Sequence, residues 1–365
     1  MVLSLDDVSA LLVLAKTRKQ RRLVATLLAC TYIERPLIPA VRFHLTACTD
    51  ANSIMDFRFD VDGVQKLGLL LGLPSVVITN SRNRVCRDEA MCIMLSRLAF
   101  PTRFYQMAKM FGRSDAVLCD IFLFVVNDIY DRWHDLLYFN LRLVRKQLDQ
   151  YCAAIKKRGA PLDSVFGFID GTKVAVSRIS SSGSGDNLQR QVYSGHKRLH
   201  CLNYQAVTAP DGVCIHFFGP VEGRKHDTTM LRHSGLLEFF LQHRDLFLNK
   251  FIYGDPAYGI STFLLSGFKG NGLSSVQKEF KIMSMSRVRQ SVEWNFKIMK
   301  SLWAFITYKD LSKIRLSPVA KVVCVAMLLT NCHCCHFGGN QISNYFDMQP
   351  PSLEEYLDTL EVALV

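Results

Sequence analysis

Three carboxylates in the second half of the chain stand where they can act together. Asp170 ends the apolar run FGFID, Asp255 ends FIYGD, and Glu293 lies in the helix-like segment RVRQSVEWNF. Strand ends gather at one edge of a sheet, and a helix can pack across that edge, so these three acids can meet in space. Taken singly, each acid is more often a turn former or a surface residue.

Carboxylates that share a point repel one another and raise each other's pKa unless a cation lies between them. Hard oxygen ligands favour Mg²⁺ or Mn²⁺. Two such ions, roughly 3.5–4 Å apart, hold the attacking and leaving oxygens of an in-line phosphoryl displacement. This arrangement predicts a site for two divalent ions, with Asp170 bridging them, Asp255 on one ion and Glu293 on the other.

Basic residues accompany the acids along the sequence. Arg287, Arg289 and Lys297 belong to the same helix-like segment as Glu293. Lys197 and Arg198 lie in SGHKRLH, before a predicted strand. We expect these five cations to contact a nucleic-acid backbone. A solvated helix face with intrahelical ion pairs is the alternative for the residues around Glu293.

His226 and Asp227 stand side by side at a predicted helix start in GRKHDTT. A metal phosphohydrolase would need further His and Asp ligands on other helices, and the sequence has no matching set. We therefore expect Asp227 either to cap its helix or to support the acidic site from outside the ligand set, with His226 beside it.

Composition narrows the class of protein. The chain is 49% hydrophobic, which is enough for a real core, and its 365 residues suggest about two domains. The net charge of +12 favours a polyanionic partner, with nucleic acid ahead of membrane. No secretory signal and no run of 18 uncharged apolar residues is evident, so neither secretion nor membrane insertion is expected. The 12 cysteines are then most simply free thiols in a reducing compartment.

One cysteine cluster needs separate treatment as a metal site. Cys332, His333, Cys334, Cys335 and His336 have the right atoms for zinc, but structural zinc sites separate two ligand pairs along the chain. Here the five residues are packed together at the end of an apolar helix. A buried, inert helix end is favoured, and the zinc site stays open.

The elements that would position these residues fall into three regions. Residues 1–160 are predicted to be helical, 161–340 to form an α/β layer of hairpin strands and helices, and 341–365 to be an acidic tail. Residues 101–131 have the pattern of a helix-turn-helix around the turn FGRS. Its second helix, AVLCDIFLFVV, is strongly apolar, so a purely structural hairpin is at least as well supported as a base-reading one.

Five motifs in order, FIDGTKVAVSR, QRQVYSGHKRLHCLNYQAV, FGPVEGRKHDTTML, YGDPAYG and RVRQSVEWNF, carry a family resemblance. Together with SRLAFPTRFYQMAKMFGRSDAVLCDIF they resemble the DDE endonuclease domain of PIF/Harbinger-type transposases and their domesticated relatives, over residues 86–355. The resemblance implies a ribonuclease H-like fold and an acidic triad at Asp170, Asp255 and Glu293. It also implies Mg²⁺-dependent hydrolysis of DNA strands, followed by strand transfer.

The leading hypothesis is thus a metal-dependent DNA endonuclease in the nucleus, with the cytoplasm as a second location. Family members often rely on a separate Myb-like protein for DNA targeting, which makes such a partner an expectation. The competing hypothesis is a domesticated DNA-binding or adaptor protein without cleavage activity. The sequence leaves open the DNA target and the oligomeric state, a homo-oligomer included.

Overall fold

Helices dominate the first half of the chain. The computed structural model describes residues 5–29, 37–179, 187–267, 286–314 and 316–357, and of residues 286–292 only the backbone. The chain divides into two units, residues 1–40 and 41–365. The first unit contains two helices, α1 (Leu5–Leu14) and α2 (Arg18–Ala29).

The second unit begins with helices and one short hairpin. The helices are α3 (Asp50–Phe57), α4 (Val61–Leu70), α5 (Arg87–Ala99), α6 (Phe104–Phe111), α7 (Asp115–Tyr138) and α8 (Leu141–Lys157). The hairpin pairs β1 (Val76–Ile78) with β2 (Arg84–Cys86) in antiparallel register. Side-chain caps begin α3 and α4, because Thr49 and Asp60 accept the amides of Asn52 and Gly63.

The turn between α6 and α7 follows its local sequence. Gly112 adopts the left-handed conformation (φ 59°) that ends α6, and the Ser114 hydroxyl accepts the Val117 amide at 3.4 Å to begin α7. Helix α7 buries one face in the core, while Asp131 and Asp135 are exposed on its other side. Asp131 accepts Nζ of Lys321 at 2.7 Å. The hairpin is thus present, and whether it reads bases stays a prediction.

A mixed sheet occupies the centre of the second half. Its strands are β3 (Val165–Ala175), β4 (Tyr193–Ser194), β5 (Leu199–Thr208), β6 (Cys214–Glu222), β7 (Phe251–Gly254) and β8 (Leu264–Ser266). The order across the sheet is β6-β5-β3-β7-β8, with β4 paired to the start of β5. β3, β5 and β6 are antiparallel neighbours, whereas β7 and β8 run parallel to β3.

Helices cover the sheet. They are α9 (Leu188–Val192), α10 (Asp227–Ser234), α11 (Leu236–Gln242), α12 (Arg244–Phe247), α13 (Ser286–Leu302), α14 (Val319–His336), α15 (Gln341–Phe346) and α16 (Leu353–Leu357). Short 3₁₀ helices lie at Leu45–Ala47, Pro256–Tyr258, Ala304–Thr307 and Lys309–Leu311. The predicted fold class, a mixed sheet flanked by helices and preceded by a helical region, is confirmed and is consistent with a ribonuclease H-like domain.

One hydrophobic core joins the early helices to the sheet. It contains, for example, Leu67 of α4, Trp133 of α7, Val174 of β3 and Tyr356 of α16. Residues of α15 and α16 are buried in the fold, although the sequence around them is acidic. The boundaries at residues 160 and 340 stay predictions, because the helices and the sheet on either side of residue 160 share this core.

Helix α14 is both long and apolar. In the described part of the chain it is the one helix long and apolar enough to cross a membrane, and 78% of it is buried within the protein, as a core helix would be. Cys332, Cys334 and Cys335 are buried free thiols. Burial raises the pKa of all three, and in the described ranges no His, Cys, Asp or Glu cluster is grouped to hold a metal ion.

Candidate active site

Asp170 lies in the middle of the sheet and faces α13. Side chains alternate along β3, so Phe168, Asp170 and Thr172 share one face. Phe168 belongs to a small core against which Trp294 and Ile298 of α13 pack. On the same face, Oδ1 of Asp170 accepts the Gly171 amide at 2.9 Å, which orients the carboxylate.

Asp255 is the neighbour of Asp170 on the adjoining strand. β7 runs parallel to β3 with Gly254 opposite Ile169, so the next residue on each strand is an aspartate. Tyr253 packs in the same small core as Phe168, and alternation then gives Asp255 the face of Asp170. The sequence therefore brings two acids to adjoining positions on one face of the sheet.

The proline after Asp255 has a local explanation. Asp255 is the N-cap of the 3₁₀ helix Pro256–Tyr258, and its Oδ1 accepts the Ala257 amide at 2.8 Å. Pro256 occupies the first helical position, where a missing N–H costs nothing. This turn ends β7 and holds the carboxylate at the end of the strand.

Glu293 lies on α13, the helix that covers this face of the sheet. Asn295 is buried and donates from Nδ2 to Oγ1 of Thr208 on β5 at 2.8 Å. Lys300 donates from Nζ to Oγ1 of Thr172 at 2.8 Å. These two contacts fix α13 against β3 and β5.

The Glu293 side chain is exposed, two helical turns before Lys300 and on the same side of α13. In the described ranges no three His, Cys, Asp or Glu side chains are grouped closely enough to hold one metal ion. The structure thus pairs Asp170 with Asp255 and places Glu293 on the covering helix. Metal binding by all three acids stays a prediction.

A further carboxylate approaches the pair from the other face. Asp227 is the first residue of α10, and His226 rather than Asp227 occupies the N-cap position. Its Oδ1 lies 3.0 Å from the point where a Cβ on Gly171 would stand. Burial raises the pKa of Asp227, Lys173 lowers it, and the charge of Asp255 raises it again. Asp227 is thus electrostatically coupled to one of the two paired acids.

The predicted basic contacts are divided between two places. Lys197 and Arg198 are exposed in the turn that joins β4 to β5, beyond the carboxyl end of β3. Lys297 is exposed on α13, one turn after Glu293. The side chains of Arg287 and Arg289 lie outside the described residues. The structure adds Lys173, whose Nζ donates to Oδ1 of Asn203 at 2.9 Å.

Lys300 is a further cation on the face of β3 that carries Asp170. Burial lowers its pKa, and besides Thr172 it contacts the Lys173 carbonyl at 3.4 Å. The sequence signal for Lys300 is its spacing of seven residues from Glu293, which returns it to the same side of the helix. The sequence gives no such signal for Lys173. Alternation along β3 places Lys173 and Gly171 on one face, but it does not show which elements cover that face.

The strand end predicted at Asp170 is wrong, because β3 continues to Ala175, whereas Asp255 does follow the end of β7. The donor atoms of the two paired acids fit a hard divalent cation. Asp170 and Asp255 offer carboxylate oxygens, which Mg²⁺ and Mn²⁺ prefer, and no thiol or imidazole competes at these two positions. Asp170 and Asp255 would hold such an ion. Glu293 is the third carboxylate that the sequence predicts for it.

The sheet order and the paired acids on adjoining strands are those expected of a ribonuclease H-like domain. Comparison with known families makes the assignment specific, because residues 169–331 match the DDE superfamily endonucleases. This part of the chain is a DDE superfamily endonuclease domain of the Harbinger-type Tnp4 family, and it includes Asp170, Asp255 and Glu293. Searches of curated proteins and of solved structures found no match.

Proposed function

We propose that the protein is a metal-dependent, transposase-type DNA endonuclease that hydrolyses phosphodiester bonds. One observation carries the proposal: inside the matched domain, Asp170 and Asp255 adjoin on parallel strands and share a face. A pair of carboxylates at that position is a binding site for a divalent cation.

The protein's own groups orient the reaction centre. The Gly171 and Ala257 amides each donate to one carboxylate, so both acids are held in place by rigid backbone. The chemistry that divalent ions supply in such a site is the activation of water and the neutralisation of charge on the phosphate. Glu293, on the helix that covers the pair, is the third acid of the proposed DDE set.

The DNA strand is proposed to run from the end of β7, beside Asp170, toward the end of β3. Lys197 and Arg198 project from the turn beyond β3, and Lys297 from α13, so exposed cations lie on two sides of the paired acids. Exposed lysine and arginine neutralise phosphates and release counterions from DNA. Arg287 and Arg289 are proposed to extend this basic surface along α13.

The same proposal includes hydrolysis to a free 3′-hydroxyl followed by strand transfer, in which that hydroxyl attacks a target phosphodiester and displaces the 3′-oxygen of the target strand. It also includes a nuclear location and a separate Myb-like partner for DNA targeting. The family resemblance supports all three. The apolar second helix of the hairpin, α7, supports the last, because it offers few polar side chains for reading base edges.

A nicking assay on supercoiled DNA with Mg²⁺ or Mn²⁺ tests the activity. Asp170→Asn and Asp255→Asn should each lower the rate by about 100-fold or more, because each removes a cation ligand. Asp163→Asn is the matched control, since Asp163 is exposed just before the other end of β3. Equal, metal-independent behaviour of all four proteins would exclude the nuclease, and DNA binding without nicking would favour the adaptor.

A further inference from the structure

Gly171 follows Asp170, and Gly254 precedes Asp255. At both glycines, other atoms lie close to the position where a Cβ would stand. A Cβ on Gly171 would meet Oδ1 of Asp227 at 3.0 Å, Cε of Met230 at 3.2 Å and the Tyr258 hydroxyl at 3.5 Å. A Cβ on Gly254 would meet Cγ2 of Ile169 at 2.7 Å and the Tyr258 ring at 3.1 Å. The start of α10 and the 3₁₀ turn therefore pack directly onto β3 at Gly171 and onto the end of β7 at Gly254.

The loop that carries Asp227 is fixed to the same strands. Asn203 of β5 is buried and donates from Nδ2 to the carbonyls of Glu222 at 3.3 Å and Lys225 at 3.0 Å. Its Oδ1 accepts Nζ of Lys173, on the face of β3 that Gly171 shares. A single buried amide thus links β3, β5 and the segment just before Asp227.

Charge adds to this packing. Asp227 is half-buried, and its charge interacts with that of Lys173 on β3 and with that of Asp255 after β7. Partial loss of water makes a carboxylate costly, and the partial charge at the start of a helix offsets only part of that cost. A cation held by Asp170 and Asp255 would gain from a third negative charge beneath the strands.

We propose that Asp227 is a positioning residue of the reaction centre, which supports β3 at Gly171 from the opposite face and strengthens cation binding by Asp170 and Asp255. The inference rests on the proposed function and extends it to a fourth acid. Gly171 is then glycine because the Asp227 carboxylate needs the space of its side chain.

The test is Mn²⁺ titration of the full chain by calorimetry, without DNA, alongside thermal melting and the nicking assay. Asp227→Asn keeps the shape and removes the charge, and it should weaken Mn²⁺ binding about tenfold without lowering the melting temperature. Gly171→Ala should weaken binding in the same direction, because it displaces the carboxylate. Asp245→Asn is the control, since Asp245 is exposed on α12, before the opposite end of β7. Asp170→Asn shows that the titration reports this site.

The outcomes separate the two proposals. If the wild-type protein nicks DNA and Asp227→Asn binds Mn²⁺ as well as Asp245→Asn does, the role of Asp227 is refuted and the nuclease stands. If Asp227→Asn lowers only the melting temperature, its role is structural and the inference is again wrong. If the wild-type protein neither binds Mn²⁺ nor nicks DNA, the proposed function fails and this inference with it.

Discussion

Asp211 is a carboxylate buried in the turn between β5 and β6, remote in sequence from the acids of the proposed site. It is fully buried, accepts the Tyr151 hydroxyl at 2.6 Å and accepts the Val213 amide at 3.0 Å. Burial raises its pKa to about 6, because these hydrogen bonds offset only part of the lost hydration. The group therefore couples folding to pH.

At the scale of this residue, we predict that the stability difference between wild type and Asp211→Asn depends on pH. The folded-state pKa is above the unfolded value, so the contribution of Asp211 is complete below about pH 4 and is lost as the pH rises through 6. The advantage of wild type over Asp211→Asn should shrink by about 2 kcal/mol between pH 4 and 7, since one pKa unit corresponds to about 1.4 kcal/mol and the unfolded carboxyl is already partly ionised at pH 4. Urea unfolding of both proteins across this range measures it, and a constant difference would contradict the burial argument.

At the scale of secondary-structure elements, the loop between β6 and α10 determines the position of Asp227. Gly223 follows β6 directly, and its Cα faces the carbonyls of Val192 and Cys201. The neighbouring Arg224 amide donates to the Gln191 carbonyl at 3.3 Å. Backbone groups cannot move aside as a flexible side chain can, so this crossing needs glycine.

We therefore predict that Gly223→Ala destabilises the protein by about 3 kcal/mol, because its Cβ would fall closer than 3.0 Å to two carbonyl oxygens. Gly195→Ala is the control: Gly195 lies in the turn before β5, and its Cβ would meet nothing within 4 Å. Thermal or denaturant unfolding compares the two variants. Equal stability of both would show that the loop does not hold β5 and α9 as closely as described.

For the molecule as a whole, the net charge of +12 matters less than where unpaired cations lie. Lys146 and Lys157 of α8 are paired with Glu355 and Asp347, at 3.2 and 2.9 Å. Lys197 and Arg198, by contrast, are exposed in the β4–β5 turn near the carboxyl end of β3. Two pairs of cations with the same formal charge should thus contribute differently to DNA binding.

We predict that Lys197→Ala with Arg198→Ala weakens DNA binding and reduces the slope of log affinity against log salt by about 2, since each lost phosphate contact removes about 0.9. Lys146→Ala with Lys157→Ala makes the same change in net charge and should leave the slope nearly unchanged. Fluorescence anisotropy at several salt concentrations measures both. Identical slopes for the two double variants would show that net charge, rather than this turn, governs binding.

Several parts of the fold and site follow from local sequence. The helix-turn-helix hairpin was predicted from Gly112 and Ser114, and the end of β7 from the apolar run before DP. The strand end predicted at Asp170 is wrong, because β3 continues through DGT to Ala175. The signals for the hairpin and for the end of β7 depend on residues a few positions apart, so they can be recognised without the tertiary structure. The acidic C-terminal segment was predicted as a tail, yet its apolar positions pack α15 and α16 into the fold, which its composition concealed.

The sequence by itself thus determined the chemistry available to the protein: two aspartates that follow apolar runs, Glu293 on a helix, an excess of cations, and motifs of the DDE endonucleases. The tertiary structure alone decided that β7 adjoins β3 in parallel, which brings Asp255 beside Asp170. It also decided that Asp227 lies beneath Gly171 and that α13 is held by Asn295 and Lys300. The reason is physical: spacing along a chain specifies which residues share a face of one element, whereas packing between elements specifies which faces meet.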